Sequence, residues 1–358
     1  MAWLQQALDW VIANQDMLLV CALWLLCIAR RVQDMERIEL EGDAIRKWQF
    51  VRSWFYANDY SHAVWDHHMT RFGVTLPTFI VQLICGRGTR AYHVTPLVMS
   101  VLQIPFVYLI GKQLSGRFAG VLSAIFLIHF SGVVRAASQL LPDGFVGTYV
   151  LVGLYCLIRY LYDPAPPKNS RWLVASGASV FAAYLAKETA LFYLPGFLLA
   201  IGVARKNWRD LLLFCGVLLL GLAIESAGYA LFTKYWFRIQ VVLSGAFQEG
   251  PPKETTFWGL FGRYAKLDQS WKFAFDFFIA ASIAVWLMLR GPGVRALLLI
   301  CWSHYFFLTF AVAGIDPIRL VHQFRDRYLD STAPMVELTT GIFVTLALRE
   351  LWQRHFSV

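Results

Sequence analysis

Charge is what this chain is short of. Asp, Glu, Lys and Arg make up 15% of its 358 residues, hydrophobic residues make up 58%, and the mean hydropathy is +0.52. Soluble domains run to about a quarter charged, so a water-soluble fold is excluded and the solvent must largely be lipid. A cysteine framework is missing too. Cys21, Cys27, Cys156, Cys215 and Cys301 lie inside apolar stretches, Cys85 borders a loop, and no pair has redox or metal-ligand spacing. They read as small apolar filler. There is no basic run of the kind that marks a nucleic-acid patch, so the net charge of +9 belongs to loops flanking a membrane. The start, MAWLQQALDW, lacks the basic region and cleavage site of a signal peptide, and its apolar segment is expected to stay as a helix. No internal repeat or low-complexity linker divides residues 1–358, which read as one integral membrane domain without a separate soluble domain.

What the chain does have is length of apolar sequence. A bilayer core takes about 20 mostly apolar residues per helix. Ten segments are candidates: 7–29, 92–111, 118–137, 144–161, 172–187, 189–204, 210–232, 271–289, 296–314 and 332–349. The expected fold class is therefore an all-α polytopic bundle. Basic residues set its orientation. Lys112, Arg117, Arg159, Lys168, Arg171, Arg205, Lys206, Arg209, Arg290, Arg295, Arg349 and Arg354 share one face, whereas the short turns opposite hold only Arg135 and Lys187. The first face is assigned to the cytoplasm, with both termini inside. Arg30 and Arg31 disagree, because they follow the first helix on the outer side.

Three longer segments then lie outside: 30–91, 233–270 and 315–331. In the first, DAIRKWQFVRSWFY places Ile45, Trp48, Val51, Trp54 and Phe55 on one stripe, with Arg46, Lys47 and Arg52 largely off it. That is the pattern of a helix lying in the interface. Residues 72–84, FGVTLPTFIVQLI, are apolar but too short to cross.

Ionisable groups near a membrane are costly, and each is a candidate for function. Glu41 and Asp43 precede the interfacial helix, where Asp43 reads as a helix cap, as a base, or as both. Asp143, in LLPDGF, reads as a turn residue or a site residue. Lys187 and Glu188, in AKETALFYLP, form either a surface ion pair or part of a phosphate site. Arg325 and Arg327, in HQFRDRYLDSTAP, suit interface anchors or an anion clamp. His67 and His68, beside Asp66, make a poor metal pair, since neighbours on a helix face different ways.

The ordered set of motifs resembles a known family. An acidic opening to the first outer segment is followed by HHMTRFGVTLP…LICG, LLPDGF, AKETALFYLPG and RYLDSTAP, over residues 41–336. This is similar to the GT-C-fold membrane glycosyltransferases, in the branch of the protein O-mannosyltransferases and the aminoarabinose-transferase-like enzymes. Two positions depart from the pattern: Glu41-Gly42-Asp43 stands where paired acids are usual, and Cys85-Gly86 where Phe-Gly is usual.

The resemblance implies transfer of a sugar from a polyprenyl-phosphate donor to a glycan, lipid or protein acceptor. The expected setting is the extracytoplasmic face of the plasma (inner) membrane. It implies Asp43 as general base and inversion at the anomeric carbon. Asp143 would orient the acceptor or steady the developing positive charge. Lys187 and Arg327 would hold the donor phosphate with Arg71 as a weaker third, and Glu41, Glu188 and Tyr328 would line the substrate site. No metal site is assigned, and a divalent ion would have only Glu41 and Asp43 to hold it. A carrier that moves the same lipid without chemistry is the alternative, disfavoured because no repeat is present and the notable charges gather at helix ends.

Overall fold

The computed structural model describes residues 2–38, 42–53, 70–163, 169–205, 207–232, 236–238, 240–241, 254–262, 264, 267–310, 312–315, 318–320 and 326–356. The chain opens with α1 (Ala2–Gln33), a helix as long as it is because its apolar run is uninterrupted by Gly or Pro. Two shallow helices follow, α2 (Asp43–Ser53) and α3 (Phe72–Cys85), then a short α4 (Thr89–Tyr92). The bundle continues with α5 (Val94–Ser115), α6 (Arg117–His129), α7 (Ser131–Ala136), α8 (Pro142–Leu161) and α9 (Arg171–Ala186). A 3₁₀ turn, Glu188–Tyr193, leads to α10 (Leu194–Arg205) and α11 (Trp208–Phe232). The last part holds α12 (Phe257–Gly262), α13 (Gln269–Met288), α14 (Pro292–Phe310), a 3₁₀ turn at Asp326–Leu329 and α15 (Ala333–Phe356).

Among the described residues six helices are long and apolar enough to cross a membrane: Ile12–Gln33, Thr89–Ser115, Pro142–Leu161, Trp208–Leu231, Gln269–Met288 and Pro292–Phe310. Phe72–Cys85, Arg117–His129 and Glu188–Ala204 are apolar but shorter. Each of the ten segments read from the sequence contains helix, with two departures. The 118–137 segment breaks at Phe130, whose backbone is extended, and α7 restarts beyond it. The 296–314 segment stops at Phe310 and passes into a strand. That strand, β2 (Val312–Ile315), pairs antiparallel with β3 (Ile318–Leu320), which pairs with β1 (Glu254–Thr255). An all-α reading misses this sheet because each strand is only two to four residues long.

Between helices in lipid there is little hydrophobic drive, so close backbone approach does the packing. A Cβ on Gly111 would meet the Gly120 Cα at 2.8 Å, which is why α5 and α6 lie together. At Gly341 of α15 a Cβ would collide with the Ser123 backbone of α6 at 2.6 Å. Outward faces are apolar: Leu219, Leu220 and Ile224 on α11 and Ile283, Leu287 and Met288 on α13 are all exposed, as lipid-facing side chains should be.

The two ends of the bundle carry different charges. At one end Asp16 of α1 accepts from Tyr108, Lys112 and Arg117, and Arg159 lies over Trp172. The other end holds Asp43, Asp143, Lys187 and Arg327. Arg31 resolves its own disagreement with the charge rule. It is buried, and it donates to the carbonyls of Leu127 and Ile128 at 3.1 and 2.7 Å and to Ser100 Oγ at 3.1 Å. It adds donors to carbonyls of the last turn of α6 and so braces α1 against that helix end. Arg30 pairs with Asp34 one turn on.

Candidate active site

The site is built where the first interfacial helix meets the turn before the last helix. Gly42 has φ +117°, a conformation that glycine adopts readily, and this lets the chain turn into α2 so that Asp43 is its first residue. The 3₁₀ turn at Asp326–Leu329 brings Arg327 opposite, 3.7 Å from the Asp43 carboxylate. Each side chain of this pair is about a third exposed. Both face a polar cavity of about 480 Å³, whose other walls include Glu36, Gln139, Trp271 and Asp330. That volume is within the range of small-molecule sites, about 300–1,000 Å³.

Beneath the cavity lies a buried layer of charge. Asp143 sits in the first turn of α8, just after Pro142, where helix N–H groups and dipole favour a carboxylate. Its Oδ1 accepts from Lys187 Nζ at 2.6 Å, and both side chains are almost fully buried. Lys187 also lies over the ring of Tyr328, the residue next to Arg327, at 4.0 Å. Burial lowers the Lys187 pKa even though Asp143 opposes the shift.

Arg71 bonds Glu188 at 3.3 Å. Their approach is set by Gly73, where a Cβ would stand 2.4 Å from the Ala186 nitrogen and hold α3 away from α9. Arg238, fully buried, reaches Glu188 at 3.5 Å and Glu225 at 3.6 Å and donates to the Tyr184 carbonyl. Burial alone would raise the Glu188 pKa, but Arg71 and Arg238 hold it at about 2.

Thus Asp43, Arg71, Asp143, Lys187, Glu188, Arg327 and Tyr328 share one end of the bundle, in two linked layers. Glu41, His67, His68 and Arg325 lie outside the described residues. Among the described residues no three His, Cys, Asp or Glu side chains converge as a metal site would require.

Three participants escape a sequence reading. Lys47 was placed on the polar side of α2, yet it is wholly buried and its Nζ donates to the Asp43 carbonyl at 2.8 Å. Burial and the neighbouring Arg71 and Arg327 push its pKa down to about 7, against the pull of Asp43 and Asp143. Arg238 comes from the second long segment, where nothing in the local pattern separates it from a surface arginine. Asp330 stands in the RYLDSTAP motif, but its burial depends on α13 and α7 packing over it.

Comparison with known proteins fits this architecture. Residues 76–229 match the family described as dolichyl-phosphate-mannose-protein mannosyltransferase. By sequence, no curated protein matches. Among solved structures, ArnT from Cupriavidus metallidurans bound to undecaprenyl phosphate is similar over 98% of this chain and 62% of its own, at 14% identity and a TM-score of 0.66. The Archaeoglobus fulgidus oligosaccharyltransferase tethered to an acceptor peptide is similar over 97% of this chain and 51% of its own, at 12% identity and a TM-score of 0.60. The chain thus spans between half and two thirds of the length of these structures. The fold is that of the GT-C class of integral membrane glycosyltransferases. Within that class the likeness is to the mannosyltransferase and ArnT type.

Proposed function

We propose that this protein transfers a sugar from a polyprenyl-phosphate donor to a hydroxyl or amine acceptor by a single displacement. The observation that carries the reading is the cavity of about 480 Å³, with Asp43 and Arg327 on its wall and buried cations beneath. A phosphate leaving group is stable as an anion, so the reaction needs a base and cations rather than an acid. Asp43, about a third exposed on the cavity wall, takes the acceptor proton. Arg327 and Lys187 hold the phosphate charge, with Arg71 behind them. Asp143 aims the Lys187 ammonium through its 2.6 Å bond and so acts through the lysine. Attack opposite the phosphate inverts the anomeric carbon, as in other single displacements.

The donor class draws support from the relatives. ArnT was solved with undecaprenyl phosphate, and the archaeal oligosaccharyltransferase AglB with a dolichol phosphate and an inhibitory peptide. A place for an apolar tail exists between α13 and α14, in a groove of about 430 Å³ lined by Ile283, Trp286, Leu298 and Trp302. It begins roughly 12–18 Å along α13 from Trp271, at 1.5 Å per residue. The site end is assigned to the extracytoplasmic face of the plasma (inner) membrane, because Lys112, Arg117, Arg159 and Arg295 belong to the opposite end.

The test is Asp43→Asn in the full chain, assayed with polyprenyl-phosphate sugars in nanodiscs. General bases contribute about 10²–10⁴-fold, so transfer should fall by that much while donor binding persists. Turnover within ten-fold of the parent would leave Asp43 as a helix-start residue and sink the mechanism. Orientation is read separately, by labelling Arg171→Cys and Glu254→Cys in sealed vesicles after Cys21 and Cys85 are replaced by Ser. Labelling from the same side would refute the assignment.

A further inference from the structure

The mechanism uses Asp43 and leaves Glu36, Asp268 and Asp330 of the cavity wall; Glu36 faces Arg135 and accepts from Gln139, and Asp268 caps α13, which leaves Asp330 without such a role. Asp330 follows the 3₁₀ turn at Asp326–Leu329 and forms part of the cavity wall with Trp271 and Gly132. It is 8% exposed. Its Oδ1 accepts from the Trp271 indole at 3.2 Å, and a Cβ on Gly132 would come within 2.7 Å of the same oxygen. The backbone of α7 and the indole of α13 therefore enclose one side of the carboxyl. Among the described residues no cation lies within ion-pairing distance of Asp330. Lys187 is taken by Asp143, and Arg135 is 3.9 Å from Glu36.

A carboxylate in that place would be costly. It would have one neutral donor, no counter-ion, and Asp143 of α8 as a like-charged neighbour. Burial first, and Asp143 second, raise its pKa well above the usual carboxylate range, against weaker pulls from Trp271, Arg135 and Lys187. Asp43 and Arg327 share the cavity with it. An ionised carboxyl only accepts hydrogen bonds, whereas a protonated one has an O–H to give. With Oδ1 committed to Trp271, that O–H belongs to the second oxygen.

We propose that Asp330 is a neutral carboxylic acid that donates a hydrogen bond to a hydroxyl of the sugar in the cavity, so that the site selects a neutral polyhydroxylated sugar and reads one of its hydroxyls. This deepens the donor reading above and rests on it. A site built to bond a substrate hydroxyl discriminates against a ligand that lacks it, because its own buried polar group is then left unsatisfied.

The experiment uses the full chain in nanodiscs and has two arms. In the first, infrared difference spectra compare the parent with Asp330→Asn at neutral pH. The parent should show the carbonyl band of a protonated carboxyl that the variant lacks; identical spectra in that region overturn the proposal. In the second, binding is measured for bare polyprenyl phosphate and for polyprenyl phosphates carrying mannose, glucose or arabinose. Asp330→Ala should cut the preference for the best sugar-bearing lipid by about ten-fold and leave the bare lipid unchanged. Asp330→Asn, whose amide also donates, should retain most of the preference, and it guards against misfolding of the alanine variant. If the parent discriminates and Asp330→Ala discriminates equally, the hydroxyl contact is wrong while the donor reading stands. If the parent itself prefers no sugar-bearing lipid over the bare one, the donor reading fails and this inference with it.

Discussion

The two ends of the bundle solve the same electrostatic problem in opposite ways. At one end a single acid, Asp16, accepts from Tyr108 at 2.6 Å and Arg117 at 2.9 Å and bonds Lys112 as well, with all its charged partners a third or more exposed. The charged groups of this cluster are paired and remain open to solvent. At the other end Asp143 and Lys187 are sealed together, Arg238 is fully buried between two glutamates, and the Nε of Arg327 is buried without a hydrogen-bond partner. Exposed pairs cost little and contribute little. Buried pairs with spare donors are costly to maintain, and such arrangements cluster at functional sites. Charge at a helix end is thus a poor guide by itself; how well it is satisfied separates an anchor from a site.

That contrast can be broken by mutation. The largest effect is expected at Lys187. Lys187→Ala should lower transfer by about ten- to a hundred-fold, as loss of one charge-assisted phosphate contact implies. It should also cost about 3–5 kcal/mol of stability, because Asp143 is left buried without its partner. The double variant Lys187→Met/Asp143→Asn should recover the melting temperature and not the transfer. Recovery of both would make the pair purely structural.

Lys47 gives a smaller effect with a definite sign in pH. A lysine in an unfolded chain titrates near 10.4, and Lys47 in the fold at about 7. Between those values the unfolded chain holds the extra proton, so stability rises with pH across the window. Lys47→Met should therefore melt higher than the parent at about pH 6, and the gap should close towards about pH 10. A gap that does not vary with pH would mean that the lysine stays charged in the fold.

At the opposite end, Asp16→Asn should leave turnover unchanged and shift the melting temperature only slightly, as exposed pairs do. A loss of transfer matching that of Lys187→Ala would erase the distinction between the ends. The smallest change belongs to Arg354→Ala, since Arg354 is 71% exposed and its ion pair among the described residues is with Glu350 one turn away. Its transfer and melting curves should overlay the parent.

Much of this architecture was legible because lipid imposes a crude rule: apolar runs become helices. The helix α2, the short α3 and the polar knuckle at Lys187 and Glu188 could all be read from periodicity and length. The break at Phe130 could not, since hydropathy does not register a single extended residue. The burial of Arg31 could not be read either, because its guanidinium is held by the Leu127 and Ile128 carbonyls of α6, far away in the chain. Lys47, Arg238 and Asp330 share another difficulty. Each looks ordinary in sequence and acquires its character from elements far away in the chain, the lysine from Arg71 and Arg327 and the aspartate from Trp271 and Asp143. Burial of a polar group is a tertiary property, and local pattern is silent about it.

The pairing of Asp43 with Arg327 has a consequence for biogenesis. The proposed base is synthesised before the arginine opposite it, with the helices from α2 to α14 in between. Long-range contacts of this kind form late, after the intervening segments have been inserted and docked. A nascent or truncated chain therefore has the carboxylate without its cavity, its phosphate clamp or the indole-bound Asp330. On the proposed mechanism such a chain is inert until Arg327 and Asp330 have been added, so the order of translation itself keeps it from consuming donor.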